Sequence, residues 1–146
     1  MNLDLLRKYG TLRKYDSDKY ICAEGERGST AFLLLDGYAR VVHTPAPGQA
    51  VDVASLKPGE LFGEMSLLEN RPRIASVVAE RDDTVVLELG KDDFLHLIKA
   101  EPDIGYGLLN TLLGRVNNTL EQMGRNKVAF VAEVRRDKHY QTLQRL

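Results

Sequence analysis

A single cysteine, Cys22, stands among 146 residues, so no disulfide can close within the chain. Such sparse thiol use fits a reducing cytoplasm. Charge of one sign is also lacking: 20 Lys+Arg oppose 21 Asp+Glu, a formal net charge of −1. That balance excludes a broad basic nucleic-acid surface as the main business of the chain. No apolar run approaches the roughly 18–20 residues of a membrane span. The opening residues Met1–Tyr9 mix Asp4, Arg7 and Lys8 with leucines and lack the apolar centre of a secretory signal. The 3 histidines, His43, His96 and His139, are scattered without metal-ligand spacing, so neither a metal site nor a cupin-like centre is expected. Internal repeats and low-complexity segments are missing too. What is present, 43% apolar and 28% charged residues, fills a real core in a soluble, cytoplasmic, one-domain chain.

Two halves differ in period. From Thr11 to Leu89 the pattern is short and strand-like, with turn residues about every eight to twelve positions. Ala31–Leu35 and Tyr38–His43 flank Asp36-Gly37, a hairpin signal. Further strands are expected at Tyr20–Ala23, Ala50–Leu56, Ile74–Ala79 and Thr84–Leu89, with punctuation at Glu24-Gly25, Pro45–Gly48 and Pro58-Gly59. In the last strand Val85, Leu87 and Leu89 share a face. Strands so spaced suggest a closed or double-sheet structure. After Gly90 the period becomes helical. Asp92 or Asp93 can cap a helix carrying Phe94, Leu95, Leu97 and Ile98, and Pro102 suits the first turn of a longer one. Along that helix Leu109, Leu113, Val116, Leu120 and Met123 alternate spacings of four and three, and Phe130 and Val134 continue the register with Lys127 as a polar member. At about 1.5 Å per residue the stripe runs roughly 40 Å, longer than a small barrel needs, which favours a dimer seam over packing on the same chain. Gly114 and Gly124 each cost about 1 kcal/mol relative to alanine, so the helix needs a partner surface.

The chemistry is concentrated between Pro58 and Ala79. Phe62-Gly63-Glu64-Met65-Ser66-Leu67-Leu68 is long enough for about one helical turn, and a glycine at its head lets backbone N–H groups approach an anion. Nine residues after Glu64, Arg73 follows Pro72 at the start of a strand, where a guanidinium can hold a phosphate through two parallel hydrogen bonds. A carboxylate such as Glu64 beside that phosphate needs a donor from elsewhere on the ligand, and a ribose hydroxyl supplies one. A compact nucleoside monophosphate satisfies these demands. A triphosphate does not, since GxxxxGK[ST] is missing. The same two charges have another use, as an ion pair pinning the turn to the strand. Cys22 reads as a small core residue rather than a nucleophile, and Ser66 and Ser76 have no nearby His–Asp arrangement.

The segments Phe62-Gly63-Glu64, Met65-Ser66-Leu67-Leu68 and Pro72-Arg73-Ile74-Ala75-Ser76 resemble the phosphate cassette of cyclic nucleotide-binding domains, the module of cAMP receptor proteins, protein kinase A regulatory subunits and cyclic-nucleotide-gated channels. Glu24-Gly25 and Ala31–Gly37 resemble the family as well, and the likeness runs from Leu3 to Met123. The resemblance implies a mainly β fold with helices: a jelly-roll-like double-stranded β-roll of about eight strands, a short cassette helix and a long C-terminal helix. It implies that residues 1–134 form the binding domain, with the barrel over 11–90 and helices over 91–134, and that 135–146 form a basic tail. By resemblance the ligand-binding residues are Phe62, Gly63, Glu64, Met65, Ser66, Arg73, Ile74 and Ala75. Glu64 accepts from the ribose 2′-hydroxyl, Gly63 and Ser66 offer backbone N–H groups, Arg73 neutralises the cyclic phosphate, and the Ile74 and Ala75 amides complete the cradle. The family commonly has a small or hydroxyl residue at the position of Ile74, and some cGMP-preferring relatives have threonine there, so by resemblance Ile74 favours cAMP over cGMP or else lowers affinity. A polar contact to the base falls near Asn118 and Thr119, whose other reading is a solvated helix face.

The expected function is non-enzymatic: a regulatory domain that binds cAMP or cGMP without a metal and relays occupancy through the long helix to a homodimer partner or effector. The alternatives are the sensory half of a cAMP-receptor-type transcription factor and a ligand-free interaction module. A helix-turn-helix would need roughly 60–70 residues after the long helix. Only Arg135–Leu146 follow it, with Arg135, Arg136, Lys138 and Arg145 making a basic tail, so no nucleic-acid binding by this chain is expected.

Overall fold

Ala31-Phe32-Leu33-Leu34-Leu35 puts apolar side chains on both faces of one strand, which is stable only where both faces are covered. In the computed structural model, which describes residues 3–123, both faces are covered. The chain opens with α1 (Leu3–Leu6) and six strands, β1 (Thr11–Tyr15), β2 (Tyr20–Cys22), β3 (Ala31–Asp36), β4 (Ala39–His43), β5 (Val51–Leu56) and β6 (Leu61–Phe62). The short helix α2 (Glu64–Glu69) follows, then β7 (Ser76–Ala79), β8 (Thr84–Leu89), α3 (Lys91–Ala100) and α4 (Pro102–Met123).

The strands make two antiparallel four-stranded sheets, ordered β1-β8-β3-β6 and β2-β7-β4-β5. The expected β-roll of about eight strands with flanking helices is the observed architecture. Side-chain alternation along β3 divides the core. Ala31 and Leu33 join a cluster with Leu6, Leu67, Leu87, Leu89, Leu97 and Leu108, under the helices. Phe32 and Leu34 join the opposite cluster with Ile21, Val77, Ala79 and Val86, between the sheets. Each fully buried leucine contributes about 1.5–3 kcal/mol, so these paired clusters carry much of the folding energy.

The Asp36-Gly37 signal misleads. β3 pairs with β6 and β8 while β4 pairs with β5 and β7, so the Asp-Gly turn carries the chain from one sheet to the other instead of closing a hairpin. Gly37 has φ +85°, its N–H donates to Asp36 Oδ1 at 2.9 Å, and a Cβ there would fall 2.5 Å from Thr84 Oγ1. The glycine permits a crossing that passes directly against the start of β8. The helix α3 also differs from expectation at its cap: Gly90, in extended backbone, occupies the N-cap, and Asp92 and Asp93 lie in the first turn, where they complement the helix dipole. Pro102 opens α4 as expected, with Glu101 O accepting from Ile104 N at 3.0 Å and Gly105 N at 3.3 Å.

The chain divides into two compact units, with the boundary between Leu108 and Leu109 inside α4. The first unit holds both sheets. In the second, Leu109, Leu113 and Val116 are 54%, 51% and 39% exposed, an apolar stripe in the predicted register. Gly124, Lys127, Phe130, Val134, His139 and the basic tail at 135–146 lie outside the described residues.

Gly37→Ala forces a side chain into the left-handed region and against Thr84. It should lower unfolding stability by about 1–3 kcal/mol in a denaturant titration. An unchanged midpoint would show that the turn relaxes without loss.

Candidate functional site

Arg73 lies between α2 and β7, held from both sides of its backbone by the loop that joins β2 to β3. Gly25 N donates to Arg73 O at 2.7 Å, Arg73 N donates to Glu26 O at 3.0 Å, and Arg27 bridges Pro72. The side chain is turned inward and is only 6% exposed. Its Nη1 donates to Thr30 O at 2.9 Å and to Gly63 O at 3.3 Å, and Nη2 donates to Thr30 Oγ1 at 3.4 Å. Cζ sits 5.3 Å from the centroid of the Phe32 ring, which stacks on Phe62 at 5.2 Å and 16°. The guanidinium is thus backed by an aromatic face that favours a cation.

Glycine makes room on the other sides. A Cβ at Gly28 would fall 2.5 Å from Arg73 Cζ, and one at Gly63 would fall 2.7 Å from Nη1. The oxygens that receive the guanidinium protons are neutral, two carbonyls and a hydroxyl. The buried Nε has no hydrogen-bond partner among the described residues. Taking a charge out of water costs several kcal/mol unless an opposite charge compensates it. A buried guanidinium with a donor to spare fits an anion such as a phosphate.

The cassette turn is local chemistry. Gly63, at φ +77°, takes the left-handed N-cap position of α2, which glycine tolerates. Asn70, at φ +52°, closes the helix in the same region, its N–H donating to Ser66 O at 3.1 Å. Within the turn Glu64 is half-buried, Met65 is exposed and Ser66 is buried. Leu67 anchors the turn to the helix-side core.

Ile74 is 64% exposed, Ala75 is half-buried, and Ser76 Oγ accepts from Glu24 N at 2.9 Å. Gly63 and Arg73 are therefore in direct contact, with Glu64, Met65 and Ser66 on the same turn and Ile74 and Ala75 beside the arginine. Phe62 lies behind it in the core through its stack on Phe32. Asn118 is exposed on α4 in the second unit, and Thr119 is in the same helix, its side chain outside the described residues.

Other candidates resolve simply. Cys22 is buried between the sheets and burial pushes its thiol pKa up, which suits a core residue and not a nucleophile. Glu24 accepts from His43 Nδ1 at 2.6 Å, and that bond holds its carboxyl below the usual range. No group of His, Cys, Asp or Glu among the described residues could hold a metal, and no described helix is long and apolar enough to cross a membrane. Sequence reasoning passed over Glu26, Gly28, Thr30 and Phe32. Gly28 was the available signal, a second glycine three residues after Gly25 in the loop ahead of β3.

A buried arginine with a donor to spare, between α2 and β7 of an antiparallel β-roll, marks the candidate ligand site of this fold. Residues 12–101 match the family model for the cyclic nucleotide-binding domain, and the chain belongs to that family. It is 38% identical over 135 residues to the cyclic AMP receptor protein of Thermus thermophilus, covering 88% of this chain and 62% of that protein. It is 40% identical over 91 residues to the cAMP-dependent protein kinase regulatory subunit of Aspergillus niger, covering 62% of this chain and 21% of that one. With human cGMP-dependent protein kinase 2 it shares 37% identity over 81 residues, covering 55% of this chain and 11% of the kinase. The crystal structure of the Thermus thermophilus catabolite activator protein superposes with a TM-score of 0.68 at 37% identity, over 83% of this chain and 56% of that one. The chain thus spans less than two thirds of these relatives' own lengths.

Arg73→Met keeps the shape of the buried arm and removes its charge. Without ligand, stability should stay within about 1 kcal/mol of the parent or rise, as when other buried charges are replaced by apolar groups. A loss above about 3 kcal/mol in denaturant would show that the folded chain already compensates the charge.

Proposed function

We propose that this domain senses a cyclic nucleotide, cAMP in preference to cGMP, and relays occupancy through α4 to a homodimer partner or an effector. The observation that carries the reading is the buried Arg73 guanidinium, whose Nε has no partner among the described residues. In this reading Arg73 neutralises the cyclic phosphate and Glu64 accepts from the ribose 2′-hydroxyl. The Gly63, Ser66, Ile74 and Ala75 amides complete the cradle, and Phe62 and Met65 belong to its wall. Ile74 lacks the hydroxyl that some cGMP-preferring relatives use, which supports cAMP. The apolar stripe through Leu109, Leu113 and Val116, continued by Leu120 and Met123, supports a dimer seam on α4.

Burial of the donor also supports a moving part. An anion reaches a nitrogen sealed from solvent only if a wall of the cradle yields, and the walls are the Gly28 loop and the Gly63–Glu69 turn. A ligand that binds one position of that turn better than the other shifts the population by its differential affinity and no more. The reading is of a cytoplasmic regulatory domain with no catalytic step, no metal and no nucleic-acid contact of its own. A second reading, the sensory part of a cAMP-receptor-type transcription factor, draws on the alignment of 88% of this chain with the Thermus thermophilus protein. A gel shift with the full-length gene product separates the two.

Calorimetric titration with cAMP, cGMP and cyclic di-GMP, with sedimentation run in parallel, tests the proposal. We expect saturable cAMP binding by a dimer. Arg73→Ala should cost about 2–4 kcal/mol of binding, roughly 30- to 1000-fold in affinity. Equal cAMP affinity for parent and variant would remove Arg73 from the phosphate site.

A further inference from the structure

Thr30, the residue before β3, meets Arg73 twice. Its carbonyl accepts from Nη1 at 2.9 Å and its hydroxyl accepts from Nη2 at 3.4 Å. The hydroxyl's own proton is committed elsewhere: Thr30 Oγ1 donates to Glu88 Oε2 at 3.1 Å. Glu88 lies on β8, opposite Phe32 of β3 and Thr11 of β1, and its other oxygen accepts from Arg13 Nε at 2.7 Å. A continuous polar chain therefore runs from the guanidinium through one hydroxyl to a carboxylate and out to a half-exposed arginine.

A hydroxyl that donates to a carboxylate becomes a better acceptor, because each hydrogen bond polarises the next. The carboxylate's pull is thereby passed to Arg73 without the carboxylate occupying the guanidinium edge. Had Glu88 bonded Arg73 directly, it would compete with any anionic ligand for the same protons. Through a hydroxyl it helps to fix the side chain while leaving Nε available.

We propose that Thr30 is a positioning residue for Arg73, setting the guanidinium in place with the help of the Glu88 carboxylate behind it. This rests on the reading of Arg73 as the phosphate-holding group, and two measurements keep the two claims apart. The first is cAMP affinity by calorimetry. Thr30→Val, close in shape but without the hydroxyl, should weaken binding about tenfold, while Thr30→Ser should stay within about twofold of the parent. No loss in the valine variant, or an equal loss in both variants, overturns the proposal. The second needs no nucleotide: thermal unfolding of Thr30→Val, Arg73→Met and the double variant. If the hydroxyl acts on Arg73, the Tm shifts are non-additive, because the valine costs less once the guanidinium is gone. Additive shifts overturn the positioning role. The cycle with Glu88→Gln in place of Thr30→Val gives the same test should the valine variant fail to fold. If the parent binds no cyclic nucleotide, the sensing function falls while the cycle still decides the role of Thr30.

Discussion

Keeping a guanidinium out of water is the constraint around which this domain is arranged. Arg73 is as buried as Leu67 of the core, and the groups that receive its protons are neutral. Solvation alone favours an arginine that swings outward, so the surroundings must hold it in. They do so with backbone hydrogen bonds on both sides of residue 73, an aromatic face beneath it, and two glycines where any side chain would collide. In the proposed reading stability is given up at this point to keep one positive charge fixed and available, and an anionic ligand would restore it.

The rest of the fold supplies the rigidity this requires. β3 is locked on both faces, with Leu33 under the helices and Phe32 between the sheets, so the aromatic floor beneath Arg73 cannot shift without disturbing both cores. α2 hangs from the same framework by Leu67 and by its glycine cap. Its six residues are too few for a stable helix on their own, which leaves the turn as the element most easily moved when the cradle fills. A rigid floor, a fixed charge and a short turn anchored at one leucine are suited to reporting occupancy.

Much of this was legible in the residues because it is local. The cassette from Phe62 to Ser76 is a contiguous pattern, the change of period at Gly90 marks where strands give way to helices, and Pro102 announces the last helix. The failures have a common physical origin. Asp36-Gly37 specifies a tight turn but not which strand the chain will pair with afterwards, and here the partner lies in the other sheet. β6, two residues long, has too little pattern to read. The support of Arg73 by Thr30 and Glu88 joins residues 58 apart along the chain, and only the folded sheet brings them together. Gly28 shows no purpose until the arginine it makes room for is in place.

The central claim is that the spare donor of Arg73 is where an anionic nucleotide is held. The most direct measurement is nuclear magnetic resonance of the arginine side-chain Nε–H groups, with the Arg73 signal assigned by its loss in Arg73→Lys, followed during titration with cAMP. An anion held at Nε moves this signal downfield and protects it from exchange as the site saturates, while the Arg13 signal stays in place. An Arg73 signal that does not move at saturating cAMP would contradict the account, because the nucleotide would then be held by something other than the buried charge.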